Sequence, residues 1–138
     1  MAEIVKTGTA SLASTLVPHN HIHSYLEVGE DVSAFDPCYI SSATGKVMRS
    51  LGTVAAADAS TVVGYPFTDR KNGQEVDLYW GVEVYWPTAA GLTPGKRVYL
   101  SATAGTNGRL SDTATTGGTA PIGHTIDGQR VFLTKSQY

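Results

Sequence analysis

The fold is decided by residues 75–86, which read Glu-Val-Asp-Leu-Tyr-Trp-Gly-Val-Glu-Val-Tyr-Trp. Every second residue is apolar, and this period of two is typical of a β-strand with one buried face. The apolar face carries Val76, Leu78, Trp80, Val82, Val84 and Trp86. The opposite face carries Asp77, Tyr79, Gly81, Glu83 and Tyr85. We expect the first face to be buried and the second to be partly covered or to meet a partner.

Shorter strand patterns flank this stretch and are separated by turn signals such as Asn72-Gly73 and Asp127-Gly128. The predicted strands are residues 22–28, 37–41, 46–49, 61–67, 97–101, 122–126 and 130–134. Residues 55–60 are the best candidate for a helical turn, although the segment is short. The sequence therefore predicts an all-β fold.

Two segments of the chain resemble each other. The matched runs are Tyr39-Ile40-Ser41 with Tyr99-Leu100-Ser101, Lys46-Val47 with Arg109-Leu110, residues 62–65 with 121–124, and residues 77–80 with 130–133. We predict two similar β-hairpin units, at about residues 36–86 and 96–134, packed into one small β-barrel or sandwich. Because the matched runs are short and rich in common residues, chance similarity is the competing explanation.

The N-terminal part of the chain has a different character. It is rich in Thr, Ser and Ala and shows no sustained hydrophobic period. A helix around residues 10–16 is a weak alternative, since Thr and Ser are poor helix formers. We predict that residues 1–21 form an extended arm outside the core and that residues 22–138 form a single β-domain.

The content and distribution of charged residues limit the classes of partner that the chain is expected to bind. Charged residues make up 16% of the 138 residues, against about 25% in an average domain. The net charge is −2 and the ten Lys and Arg residues form no cluster, so we expect no nucleic-acid partner. No apolar run approaches the roughly 20 residues of a membrane span, and the first residues do not resemble a secretory signal. We therefore expect no membrane partner.

Catalytic and metal-binding patterns are weak. His19, His21 and His23 alternate, so on a strand they would share one face and are candidate metal ligands. A solvated or interface strand with polar histidines is the favoured alternative. Cys38, the single cysteine, lies inside a predicted strand and is expected to be a small buried residue. The chain has no Gly-x-Ser-x-Gly run, and we expect neither an enzyme nor a cofactor.

The strands and turns carry a family resemblance. The first half contains Asp36-Pro37-Cys38-Tyr39-Ile40, Gly45-Lys46-Val47, Val62-Val63-Gly64 and Val76-Asp77-Leu78-Tyr79-Trp80-Gly81-Val82. The second half contains residues 91–101, 108–110, 122–123 and 130–133 in the same style. Over about residues 25–134 the chain resembles the capsid cement, or head decoration, proteins of tailed bacteriophages. The histidine cluster and the long aromatic strand depart from the family pattern.

The resemblance implies a structural function. Such a protein would bind the outer surface of an assembled phage head as a homotrimer and would bridge subunits of the major capsid protein. It would need no catalysis and no cofactor. The candidate residues for capsid or trimer contacts are Ile4, Val5, Leu12, Leu16, Tyr79 and Tyr85. Another virion component, such as a fibre, spike or tail protein, is the alternative, and a carbohydrate-binding module is a more distant one.

Overall fold

The structure is a computed structural model, and it describes residues 3–4, 11–12, 22–53, 58–85, 92–102 and 109–136. The strands among them are β1 (Glu3–Ile4), β2 (Ser11–Leu12), β3 (Ile22–Glu27), β4 (Cys38–Ile40), β5 (Val47–Arg49), β6 (Glu75–Tyr79), β7 (Val82–Tyr85), β8 (Arg97–Leu100), β9 (Leu110–Ser111), β10 (Gly123–Thr125) and β11 (Arg130–Leu133). A single turn of 3-10 helix covers Asp58–Ser60, inside the predicted helical turn. The predicted all-β class is confirmed, and the fold is sandwich-like.

The stretch that alternates most strongly forms two strands instead of one. β6 ends at Tyr79, β7 begins at Val82, and Gly81 between them has a φ of 73°, which glycine adopts without steric cost. Because the chain kinks here, β6 pairs with β3 while β7 pairs with β11. The predicted buried face is confirmed at Val76, Leu78, Val82 and Val84, and Trp86 lies outside the described residues. Trp80 is half-buried, contrary to prediction, because it lies at the kink.

The predicted strand at residues 61–67 is much shorter than expected. Only Gly64 and Tyr65 pair with neighbouring strands, through single bridges to Cys38 in β4 and Tyr79 in β6. Pro66 follows directly and has no N–H to donate to a ladder. The segment nevertheless lies between β4 and β6 and connects the two pairs of strands β4–β5 and β3–β6.

The two halves of the chain pair their strands in the same order. The repeat is divided differently from the predicted units at residues 36–86 and 96–134, because the first half begins at β3 and β7 belongs to the second half. In the first half the order is β3, β6, residues 64–65, β4 and β5, and in the second half it is β7, β11, β10, β8 and β9. The equivalent residue pairs are Cys38–Gly64 with Val98–Gly123, Tyr65–Tyr79 with His124–Phe132, and Ile40–Val47 with Leu100–Leu110. The chain thus uses one five-stranded arrangement twice.

Backbone hydrogen bonds repeat between the halves as well. The N–H of Val63 donates to the Cys38 carbonyl at 2.8 Å, and the N–H of Ile122 donates to the Val98 carbonyl at the same distance. The turn after β4 closes with a bond from Ser41 to Lys46, and the turn after β8 closes with a bond from Ser101 to Arg109. Gly64 and Gly123 are equivalent glycines, and at both positions a Cβ would meet the carbonyl oxygen of the neighbouring strand.

Each half has its own apolar cluster, and the second extends into the first half. The first cluster contains Val28, Val32, Cys38, Val47, Val76 and Leu78. The second cluster contains Ile4, Phe35, Val62, Tyr65, Val82, Val84, Val98, Leu100, Leu110, Ile122, Val131 and Leu133. Three of these residues, Phe35, Val62 and Tyr65, come from the first half. The two halves therefore pack as one domain.

The segment after β11 also joins the halves. The Tyr65 side chain is fully buried, and its hydroxyl donates to the Thr134 carbonyl at 2.8 Å. Burial raises the pKa of the Tyr65 phenol well above its usual value, so the hydroxyl remains a donor. Val62 donates its N–H to the Ser136 hydroxyl, and Ser136 donates its N–H to the Val62 carbonyl, both at 2.8 Å.

The described pieces of the N-terminal segment lie at the two ends of the seven-stranded sheet, whose order is β1, β9, β8, β10, β11, β7 and β2. Six strand spacings would separate β1 from β2 by about 29 Å in a flat sheet. The seven-residue step from Ile4 to Ser11 reaches at most about 25 Å, so the sheet must curl. No pairing among the described residues joins its ends into a closed barrel.

Ile4 corrects the expectation that the N-terminal arm contributes nothing to the core. Its side chain is only 7% exposed and belongs to the second apolar cluster. The arm therefore adds a core residue as well as edge strands. Two-residue strands carry no hydrophobic period, which is why the sequence pattern does not reveal them.

We predict that Ile4→Ala lowers the free energy of unfolding by about 2 kcal/mol or more, because it removes a buried side chain from the second cluster. Ser11→Ala, at an exposed position of the same segment, changes it by less than about 0.5 kcal/mol. Urea unfolding of the two variants is the measurement. Equal, small effects would show that the arm makes no contribution to the core.

We also predict that Gly123→Ala destabilises the protein by more than about 2 kcal/mol, since its Cβ would overlap the carbonyl oxygen of Phe132. Gly128→Ala is the matched control, because a Cβ there comes no closer than 3.9 Å to any other atom. The difference between the two unfolding midpoints in urea measures the close approach of β10 and β11. Similar midpoints would contradict it.

Candidate contact surface

Strand β3 carries a β-bulge at its centre. Its register against β6 shifts between His23 and Leu26, so that Ser24 and Tyr25 together face Asp77. Tyr25 has a φ of 61°, in the left-handed region that side chains with a Cβ rarely adopt. The N–H of Tyr25 donates to the Asp77 carboxylate at 3.2 Å instead of to a backbone carbonyl. The bulge therefore interrupts the alternation predicted for residues 22–28.

Because of the bulge, the aromatic ring of Tyr25 is exposed to solvent. Tyr25 is 87% exposed, and among the described residues the only other exposed large hydrophobic side chain is Ile40 at 36%. Non-glycine residues held in the left-handed region cost on the order of 1–3 kcal/mol and tend to cluster at functional sites. A tyrosine displayed at such a cost is a candidate contact residue, because tyrosine is enriched in protein interfaces.

Charged groups surround the displayed ring. A shallow depression of about 240 Å³ is lined by Tyr25, Arg70, Glu75, Val76 and Asp77. Beside it, Glu27 on β3 faces Glu75 on β6 directly, and like charges placed opposite each other across strands are destabilising. Lys46 lies 2.9 Å from Glu27 and balances that carboxylate. The outer face of the β3–β6 pair is therefore acidic, with Arg70 at its margin.

A second, more polar cleft of about 350 Å³ shares Arg70 with this depression. The other residues that line the cleft are Asp31, Val32, Ser33, Arg49, Asp69 and Lys71. Arg49 lies 3.1 Å from Glu30, and Lys71 lies 3.4 Å from Asp31. The backbone N–H of Asn72 and the charge of Lys71 lower the pKa of Asp31. Most charges of the cleft are thus paired within the protein, which makes it a weaker candidate for binding.

The half-buried Trp80 lies at one end of the β3–β6 pair. The His23 ring packs against it with 4.6 Å between the ring centroids, and the Lys135 ammonium lies 4.7 Å from the Trp80 centroid. The aromatic ring therefore ties β3, the kink and the segment after β11 together. Of the proposed histidine cluster only His23 can be placed, since His19 and His21 lie outside the described residues. Among the described residues, no three His, Cys, Asp or Glu side chains form a group that could hold a metal ion.

The structure makes Tyr79 and Tyr85 weaker contact candidates than the sequence suggested. Tyr79 is half-buried and stacks on Phe67 with 3.7 Å between the centroids, so much of its ring already packs against the second cluster. Burial, together with the nearby Asp77, raises the pKa of Tyr79. Tyr85 is half-buried and lies between Arg130 of β11 and Ser11 of β2. Both tyrosines are less available than Tyr25.

The structure describes only some of the contact candidates proposed in the N-terminal arm. Ile4 is buried in the core and is not a surface contact, because it packs in the second apolar cluster. The backbone of Leu12 lies in β2, but its side chain is outside the described residues, as are Val5 and Leu16. Cys38 is fully buried, as predicted, and its thiol donates to the Asp36 carbonyl at 3.3 Å.

Tyr25 was missed as a site residue because alternation alone assigns it only to the polar face of its strand. An aromatic residue on that face, beside His23 and Glu27, was the one signal available in the sequence. The bulge depends on how β3 registers against β6, and this pairing is set by residues about 50 positions away.

Neither a family model nor a curated protein matches the sequence. In the part of the chain that the structure describes, no helix is long and apolar enough to span a bilayer.

We predict that Tyr25→Gly is more stable than Tyr25→Ala by about 1 kcal/mol, because both variants remove the ring but only glycine is relaxed at this φ. Thermal or urea unfolding of the pair isolates the backbone strain from the loss of the side chain. Identical stabilities would mean that residue 25 is not held in a left-handed conformation in solution.

Proposed function

We propose that this protein is a capsid decoration protein, which binds the outer surface of an assembled tailed-phage head and bridges subunits of the major capsid protein. The observation that carries the proposal is Tyr25, a displayed aromatic residue on a strained bulge of the β3–β6 pair. The resemblance of residues 25–134 to the cement proteins indicates the major capsid protein as the partner of this surface.

The physical task of such a protein is to stabilise one assembly state. A ligand that binds the assembled lattice and not its separate subunits shifts the equilibrium toward the lattice by mass action. If the protein is a homotrimer, three modest contacts act together and the effective concentration of the second and third contacts is high. A small β-scaffold with a sharply defined contact surface is sufficient for this, and the function needs neither catalysis nor a cofactor.

The composition of the surface suits this task. Charged residues are scarce in the chain as a whole, and those around Tyr25, which are Arg70, Glu75 and Asp77, would need groups of opposite charge on the capsid to offset their desolvation. The described contact region combines Tyr25 with Arg70, two residue types that are enriched among the anchoring residues of interfaces. In this proposal the protein is located on the virion, outside the capsid, after synthesis in the host cytoplasm.

The test is binding to expanded heads that lack the decoration protein. We expect the unmodified protein to saturate such heads at a fixed ratio, and Tyr25→Ala to weaken binding by about tenfold or more. Ile40→Ala, at the other exposed large hydrophobic residue, serves as the control and should bind within about twofold of the unmodified protein. Co-sedimentation with heads over a range of concentrations measures both.

Two other results of these experiments would indicate a different function. A protein that ignores heads but labels tails or fibres in electron microscopy would belong to another virion component. Specific binding on a glycan array would indicate a carbohydrate-binding module. Either result, without head binding, would contradict the proposal.

The proposed homotrimer is tested separately by native mass measurement of the free protein. We expect a species of three chains, each of 14.5 kDa. A monomer that remains monomeric on heads would contradict the trimer without contradicting head binding.

A further inference from the structure

The repeated strand order makes β3 and β7 equivalent strands. β3 pairs with β6 and places His23 opposite Leu78, while β7 pairs with β11 and places Val84 opposite Val131. Since β6 and β11 occupy the same place in the two halves, His23 corresponds to Val84. The bulge residues Ser24 and Tyr25 then lie at the position of Tyr85.

The outer edge of β7 is occupied at this position. β2 pairs antiparallel with it, so that Leu12 faces Val84 and Ser11 faces Tyr85. This interaction shows that the five-stranded arrangement accepts an additional extended segment beside its first strand. In the described part of the chain, the N-terminal segment fills that place in the second half through β2.

The corresponding edge of β3 is open in the described part of the chain, where no strand other than β6 pairs with residues 22–27. His23, Ser24, Tyr25 and Glu27 are all exposed. The edge becomes covered only beyond the strand, where Gly29 donates its N–H to the Val47 carbonyl at 2.9 Å. An unpaired edge is a template for pairing with another chain.

We propose that an extended segment of the major capsid protein pairs with the outer edge of β3, in the way that β2 pairs with β7. The inference rests on the proposed function, and it names the strand and the mode of binding. The added segment would run antiparallel to β3, with backbone hydrogen bonds giving affinity and side-chain contacts giving specificity. Tyr25 would pack against the side chains of that segment.

The carboxylates near β3 indicate which side chains the capsid segment should carry. Glu75 faces Glu27 across β3 and β6, and only Glu27 has a described lysine partner, Lys46. Asp77 adds a third carboxylate to the same region. A basic side chain on a segment added to the outer edge of β3 would lie next to Glu27, and it would offset the like-charge contact between Glu27 and Glu75 on binding. A second copy of β3 would instead bring the same carboxylates to the edge, so the capsid segment is the favoured occupant.

Hydrogen exchange of the intact protein, free and bound to expanded heads, tests the inference. We expect amide exchange across residues 22–27 to slow by at least about tenfold on heads, because the edge amides become hydrogen-bonded. The matched internal control is β7, whose outer edge already pairs with β2 and whose exchange should not change. Free protein is measured at two concentrations to detect pairing between copies.

The outcomes separate the two proposals. Binding to heads with unchanged exchange in residues 22–27 overturns strand pairing at β3 and leaves the decoration function in place. Failure to bind heads counts against the decoration function itself. Slower exchange in the free protein at the higher concentration would identify a second copy as the occupant and would also overturn the inference.

A charge variant tests the chemistry of the segment. Glu75→Gln should weaken head binding by about threefold or more and reduce its dependence on salt, because it removes one of the two facing carboxylates whose repulsion the basic side chain would offset. Glu83→Gln on β7, the equivalent strand of β3, is the control and should leave both unchanged. Head binding by Glu75→Gln with an unaltered salt dependence would overturn the assignment of a basic segment.

Discussion

The kink at Gly81 is the constraint on which the rest of the structure depends. Residues 75–85 as one straight strand would span about 36 Å, roughly twice the length of a common strand. Neither half could cover such a strand with its own apolar cluster. The left-handed φ of Gly81 divides the run, so that Val76 and Leu78 serve the first cluster while Val82 and Val84 serve the second.

The division has a cost, because β7 joins the seven-stranded sheet while β6 pairs with β3 in a separate two-stranded sheet, and open strand edges result. The protein compensates in several ways. Phe35, Val62 and Tyr65 of the first half pack into the second cluster, and reciprocal hydrogen bonds between Val62 and Ser136 bind the halves together. The N-terminal segment pairs with both end strands of the second half. Among the described residues, the outer edge of β3 at residues 22–27 has no comparable partner.

Much of the fold was predictable, because alternation of apolar residues is a local signal. It located most strands and the buried faces of β6 and β7. Three features escaped prediction because each depends on distant parts of the chain. The kink at Gly81 depends on separate partners for β6 and β7, the two-residue strands of the arm depend on edges formed elsewhere, and the bulge at Tyr25 depends on the register with β6. The candidate site lies at the last of these, so the sequence proposed Tyr79 and Tyr85 in place of Tyr25.

The bulge also explains how the free protein can carry an open strand edge without pairing with arbitrary strands. A flat, regular edge would pair with any exposed strand and would favour aggregation before assembly. The register shift at Ser24 and Tyr25 and the acidic pair Glu27–Glu75 both discourage pairing with an arbitrary strand. A partner must follow the bulge and supply the opposite charge, so the same features that protect the free protein would select the capsid segment. Backbone strain at Tyr25 lowers the stability of the free protein, and only contacts with the correct partner would offset it.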